Sequence, residues 1–250
     1  MKYYELFLKY GCFTYDDAVD LIGNESTALF TLNQYIKKGY IAKIRRGLYV
    51  AINLYDHEPC INKFVIASHI SKSSYVSHDT AFEFYGYKNQ VSYNVSVTSN
   101  SFFRPFTFNG YDYKHLNPTI NKGIITTPDG VRVTDLERTI LDCINNFQNT
   151  IGFEELINCL ELVPFVNEAK LIEYLSLYNK CFLYQKTGYI LEHYQKELNI
   201  SNSFFKTCQD KANSSSRYLS NDKNTKDLLA NQGEKQMKRI LDGVENKEKE

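Results

Sequence analysis

The stretch Lys37-Lys38-Gly39-Tyr40-Ile41-Ala42-Lys43-Ile44-Arg45-Arg46-Gly47-Leu48-Tyr49-Val50 decides how the first part of the chain is read. From Tyr40 to Ile52, β-branched and aromatic residues alternate loosely with basic ones, as in a hairpin. Arg46-Gly47 forms the tip, Gly47 supplying the positive φ of the turn. Upstream, Gly39 stops a helix that begins near Glu25 or Ser26. Gly23-Asn24 is a tight turn, and Thr14 caps a helix whose first turn holds Asp16 and Asp17. Lys2 to Tyr10 is a short amphipathic helix, with Tyr3, Leu6, Phe7 and Tyr10 inward. The order helix, turn, helix, basic hairpin predicts a winged helix-turn-helix over residues 1–55. Such a fold lays its second helix in the DNA major groove and its wing on phosphates.

Charge supports that reading because it is local. The chain carries 29 basic and 29 acidic residues, a formal net charge of zero, yet no Asp or Glu occurs from Ser26 to Tyr55. At ~100° per residue, Leu29, Leu32 and Ile36 share one face of the second helix and are expected to point inward. Thr27, Thr31, Gln34 and Lys38 then fall on the outer face, where each side chain can hydrogen-bond to bases or phosphates. Lys37, Lys43, Arg45 and Arg46 are the expected phosphate contacts, Arg46 reaching toward the minor groove. The plainer alternative is a solvated helix face, which polar residues occupy on most helices.

Asn53 to Pro59 looks like a linker, and residues 60–220 form a second unit of mixed α+β character. Ile61–Ile70 and Asp79–Tyr87 carry helical spacing, the latter capped by Ser77 or Asp79. Val91–Val97 reads as a strand, and Phe102–His115 as a hairpin turning at Asn109-Gly110. Two short strands flank Thr127-Pro128-Asp129-Gly130, and Thr134 with Glu137 spells a capping box for a helix ending near Asn146. The C-terminal part is helical: Phe153–Leu162, Glu168–Tyr178, Gly188–Leu198 and Asn202–Lys211. Residues 221–250 read as a polar, partly disordered tail. The fold class expected is therefore α+β, a winged helix-turn-helix followed by a mixed α+β domain with a helical C-terminal part.

Several function classes fall away. No apolar run approaches the ~20 residues of a membrane span, and the N-terminus lacks a signal-peptide core, so a cytoplasmic protein without membrane contact is expected. Six scattered cysteines without a C-x-x-C pair argue against structural zinc and against a disulfide framework. The five histidines show no metal-ligand spacing, and the common nucleotide cradles are missing, so neither metal nor cofactor is expected. Ser77-His78-Asp79 are neighbours that do not converge as a triad does, and no catalytic residue is assigned. Arg138 and Asp142, at i and i+4, pair on their helix.

Three places resemble the AbiEi-type antitoxins, the regulator half of a type IV abortive-infection toxin–antitoxin system. They are Gly39 through Tyr49, Tyr75 through Tyr87 (Tyr-Val-Ser-His-Asp-Thr-Ala-Phe-Glu-Phe-Tyr-Gly-Tyr), and Val133-Thr134 through Arg138-Thr139-Ile140-Leu141-Asp142. The last is similar to the family's V-T-x-x-x-R-T-x-x-D signature. The resemblance implies a repressor of its own operon in phage defence, binding an inverted-repeat operator in double-stranded DNA. It also implies neutralisation of a nucleotidyltransferase toxin acting on tRNA, without a stable complex, and draws attention to Glu137, Arg138 and Asp142 in the second domain. Two alternatives stand beside it. One is a stand-alone regulator whose second domain senses a ligand; the other is a second domain that enzymatically reverses the toxin's modification. Oligomeric state and operator sequence stay open.

Overall fold

The computed structural model describes residues 2–212, together with two short antiparallel strands, Arg217–Tyr218 and Leu228–Leu229. Apart from Leu228–Leu229, the polar tail expected at 221–250 lies outside the described residues. The chain divides into two compact units, Met1–Asp135 and Leu136–Glu250.

The first unit begins with α1 (Tyr4–Tyr10), β1 (Cys12–Thr14), α2 (Tyr15–Ile22), α3 (Glu25–Lys37), β2 (Ile41–Arg45) and β3 (Leu48–Ala51). Local chemistry sets these boundaries. Thr14 Oγ1 accepts from the Asp17 amide at 3.1 Å while Asp17 accepts from the Thr14 amide at 2.7 Å, a capping box that starts α2. Gly23, at φ 79°, ends α2, and Asn24 caps α3 through the Thr27 amide at 2.9 Å. Gly47 takes φ 77° at the wing tip, as its place in the sequence requires. The wing sheet has three antiparallel strands in the order β1-β3-β2, where two were expected. Cys12–Thr14 is the addition, too short to announce itself by alternation.

The same unit continues through α4 (Lys63–His69), β4 (Tyr75–Val76), α5 (His78–Phe84), β5 (Asn94–Thr98), β6 (Phe106–Phe108), β7 (Tyr111–Leu116), β8 (Ile124–Thr126) and β9 (Arg132–Thr134). The six strands form a mixed sheet in the order β6-β7-β5-β4-β9-β8. The expected division between residues 1–55 and 60–220 does not hold. All four residues of β3 are buried, because its two faces serve two cores. Tyr49 joins Phe7, Phe13, Ala18, Leu32 and Ile41 beneath the helices. Leu48 and Val50 join Val65 and Ile66 of α4 and Val76, Val95, Val97, Tyr113 and Val133 of the larger sheet. Residues 53–59 are therefore a connection inside one unit.

The second unit holds α6 (Leu136–Asn146), a 3-10 turn (Phe147–Asn149), α7 (Phe153–Glu161), α8 (Glu168–Tyr178), α9 (Cys181–Glu192) and α10 (Asn202–Lys211). Because α6 begins at Leu136, Asp135 rather than Thr134 precedes the first helical residue, and Thr134 ends β9 opposite Ile124. Helix α9 starts seven residues before the expected Gly188. That glycine sits mid-helix because a Cβ there would lie 3.0 Å from Cys208 Cβ, so its absence lets α9 and α10 close together. The α+β class, with a helical C-terminal part, is what the structure has.

The shared strand gives the first prediction. A fragment of residues 1–135 should unfold in one cooperative transition, whereas residues 59–135, stripped of β3, should show none by circular dichroism. A cooperative melt of the shorter fragment would contradict the two-sided burial of β3.

Candidate nucleic-acid interface

The core face of α3 keeps Leu32 and Ile36 as expected but is turned so that Thr31 joins it and Leu29 leaves it. Ala28, Thr31 and Leu32 are buried and Tyr35 is half-buried, so this i, i+3, i+4, i+7 stripe faces the core. Tyr35 meets the Phe7 ring edge-on at 6.1 Å. Thr31 is 9% exposed and is removed from the outer face, while Leu29, expected inside, is 51% exposed. The small side chains of Ala18 and Ala28, both fully buried, let α2 and α3 approach closely. That draws the inner face toward residue 28 and away from residue 29.

The other sequence-derived residues divide by position. Thr27 is exposed, its hydroxyl turned back to Asn24 Oδ1 at 3.0 Å. Gln34 is half-buried on the flank. Lys37, Lys38, Lys43 and Arg46 are exposed. Arg45 is not a free wing cation: its guanidinium carbon lies 5.6 Å from the centroids of both Phe103 and Phe106, and its buried Nη1 has no hydrogen bond within the described residues. This cation–π contact with two adjoining rings takes Arg45 out of the set expected to meet phosphates. Sequence reasoning also missed residues. At ~100° per residue the direction opposite the core stripe is occupied by Ser26, Phe30, Asn33 and Lys37, all exposed.

The element order α1-β1-α2-α3-β2-β3, the central β3 and the exposed cations beside α3 are those of a winged helix-turn-helix. Residues 1–52 match the family of transcriptional regulators described as AbiEi antitoxins. The match ends one residue beyond β3 and supports a DNA-binding regulator of antitoxin type. The resembling stretches at 75–87 and 133–142 lie outside it. No curated protein matches the chain. Among solved structures, the chain is similar to the crystal structure of the RV2827C protein from Mycobacterium tuberculosis. The TM-score is 0.56 at 12% identity, covering 82% of this chain and 77% of that one, a likeness of fold.

The second candidate group, on α6, is interior. Glu137, Arg138 and Asp142 are all buried. Arg138 Nε donates to Asp142 Oδ2 at 2.9 Å, and the Tyr178 hydroxyl donates to Asp142 Oδ1. Burial, and then the neighbouring Asp142 charge, hold the Tyr178 phenol far above its ordinary pKa, so it stays a donor. Glu137 accepts from the Asn167 amide at 2.7 Å, which ties α6 to the start of α8, and lies 3.6 Å from Lys170. In the first unit, Asp79 binds Ser96 Oγ at 2.7 Å and Lys88 at 3.2 Å. Ser77 binds Thr98 at 2.6 Å and His78 Nδ1 at 2.9 Å, and makes no cap bond to α5. Among the described residues no cluster of His, Cys, Asp and Glu could hold a metal ion, and no helix is long and apolar enough to cross a membrane.

Two predictions follow from these placements. Arg46→Ala should weaken DNA binding across sequences and lower the log–log salt slope by ~0.9, the release from one phosphate contact. Arg45→Ala should instead lower the melting temperature, because it removes the side chain that packs on Phe103 and Phe106. Equal effects of the two on DNA binding, with unchanged stability, would refute that division. Asp142→Ala leaves Arg138 buried without its carboxylate and should cost about 3–5 kcal/mol by urea unfolding.

Proposed function

We propose that this protein is a DNA-binding antitoxin that represses its own toxin–antitoxin operon and neutralises a nucleotidyltransferase toxin without forming a stable complex with it. The observation that carries the reading is the winged helix-turn-helix, matched over residues 1–52 to AbiEi antitoxin regulators, with its exposed cations Lys37, Lys38, Lys43 and Arg46 beside α3. Thr27 and Gln34 remain proposed groove contacts at the flanks of that helix. Neutralisation is assigned to the remainder of the chain, where Glu137, Arg138 and Asp142 hold the helical unit together from inside. On this reading Arg138 acts by keeping α6 and α8 in place, and the surface that meets the toxin's pathway is set by their packing.

A second reading, a regulator that responds to a ligand, is favoured by one cleft in the first unit. About 290 Å³ in volume, it is lined by Lys63, Glu83, Tyr111 and Tyr113 among others. Lys63 pairs with Glu83 Oε1 at 2.6 Å, but the buried Glu83 Oε2 and Tyr113 hydroxyl have no hydrogen bond within the described residues. Burial raises the Tyr113 phenol above its ordinary pKa, so it stays a proton donor. A polar ligand occupying this cleft would satisfy both groups.

Co-expression with a nucleotidyltransferase toxin of this kind tests the first reading. The full chain should silence a reporter on its own promoter and restore growth, and Arg46→Ala should lose silencing while keeping rescue. Arg138→Ala should impair rescue more than DNA binding. Failure of the full chain to restore growth while silencing persists would remove the antitoxin assignment and leave the ligand-responsive regulator.

A further inference from the structure

The exposed apolar side chain on α3 has no partner role in the fold. Phe30 is 65% exposed, one turn beyond Ser26, one turn before Asn33 and two before Lys37 on the stripe opposite the core. A ring left in water at that position forgoes the stabilisation that burial elsewhere would give it. Its surroundings define what could cover it. No acidic residue occurs between Ser26 and Tyr55, and Lys37, Lys38, Lys43 and Arg46 are all exposed, so the complementary surface is polyanionic. The major groove of DNA offers such a surface with one apolar feature, the thymine C5-methyl, to which Phe is a suitable contact. Asn33 carries the carboxamide that pairs bidentately with adenine N6 and N7.

Resting on the DNA-binding reading above, we propose that Phe30 and Asn33 are the base-reading residues of α3, Phe30 packing on a thymine methyl and Asn33 pairing with an adenine. Residues three apart on a helix place their Cβ atoms ~5–6 Å apart. Base pairs rise by ~3.4 Å along each strand. The thymine and the adenine therefore lie within one or two steps of each other. Lys37, a further turn along the stripe, and the wing residues Lys43 and Arg46 fix the register on phosphates without selecting bases.

The test uses the full chain and a duplex selected from random-sequence DNA. Each thymine of the selected site is replaced in turn by deoxyuracil, which removes only the methyl, and each adenine by 7-deazaadenine, which removes the N7 acceptor. Binding is followed by fluorescence anisotropy. At one thymine the wild type should lose about fourfold, the worth of one buried methyl. Phe30→Ala should lose nothing further there. At a nearby adenine the 7-deaza base should weaken wild type about fivefold or more, and leave Asn33→Ala unaffected. Phe30 and Asn33 are exposed, so both variants should keep the wild-type circular dichroism. Undiminished binding at every deoxyuracil position overturns the Phe30 assignment while leaving DNA binding intact. Undiminished binding together with a dimer that Phe30→Ala dissociates in sedimentation would instead make this face a contact between two copies. Failure to bind any duplex would remove the DNA-binding reading itself.

Discussion

The double-sided burial of β3 is the constraint on which the first unit depends. A strand with one face in solvent alternates apolar and polar residues, but Leu48-Tyr49-Val50-Ala51 is apolar throughout. Each face then needs its own cover. The helices cover Tyr49, and the larger sheet covers Leu48 and Val50. β1 repeats the division, Phe13 facing the helices and Cys12 the other core, where burial lifts its thiol pKa to about 12. A wing so enclosed cannot swing as a free hairpin. Gly11 shows how close the fit is, since a Cβ there would lie 2.5 Å from Ile61 Cγ2.

Much of this was legible in the residues, and the misreadings have physical causes. Thr14, Gly23, Asn24 and Gly47 each carry local chemistry that determines a helix start, a stop or a turn, and each does what its type predicts. Local signals, however, say nothing of what lies on the far side of a strand. The apolar run of β3 was read as one half of a hairpin, and the boundary was placed at the polar residues 53–59. The phase of α3 failed for a related reason. Large aliphatic residues mark Leu32 and Ile36 of the inner face, but close approach to α2 also buries the small Ala28 and Thr31, so the face turns and Leu29 and Phe30 point out.

The second unit carries its polar groups inside. Arg138, Asp142 and Tyr178 pair inside the helical unit, an arrangement that fixes which helices meet more than it adds stability. The i, i+4 spacing of Arg138 and Asp142 made their pairing visible in the sequence. Their burial was not, because Tyr178 comes from a helix 36 residues further on. Gly188 was misplaced as a helix start for the same lack of tertiary information, its requirement being set by Cys208 in α10.

Arg45 and Arg46 show how one dipeptide can divide between structure and recognition. Arg45 is the last residue of β2 and Arg46 lies in the turn that follows, so the two side chains leave the wing in different settings. A bulge between Lys43 and Arg45 re-aims the strand end, and Arg45 lies over Phe103 and Phe106 while Arg46 is exposed at the tip. The buried guanidinium meets aromatic faces rather than a carboxylate, which leaves the wing's positive charge unneutralised by an ion pair there. The cation thus secures the wing to its sheet without cancelling the field that Lys43 and Arg46 present. An aspartate in place of either ring would lower the wing's positive charge and with it the attraction for phosphates. The choice of phenylalanine is therefore consistent with a wing that has to be both rigid and basic.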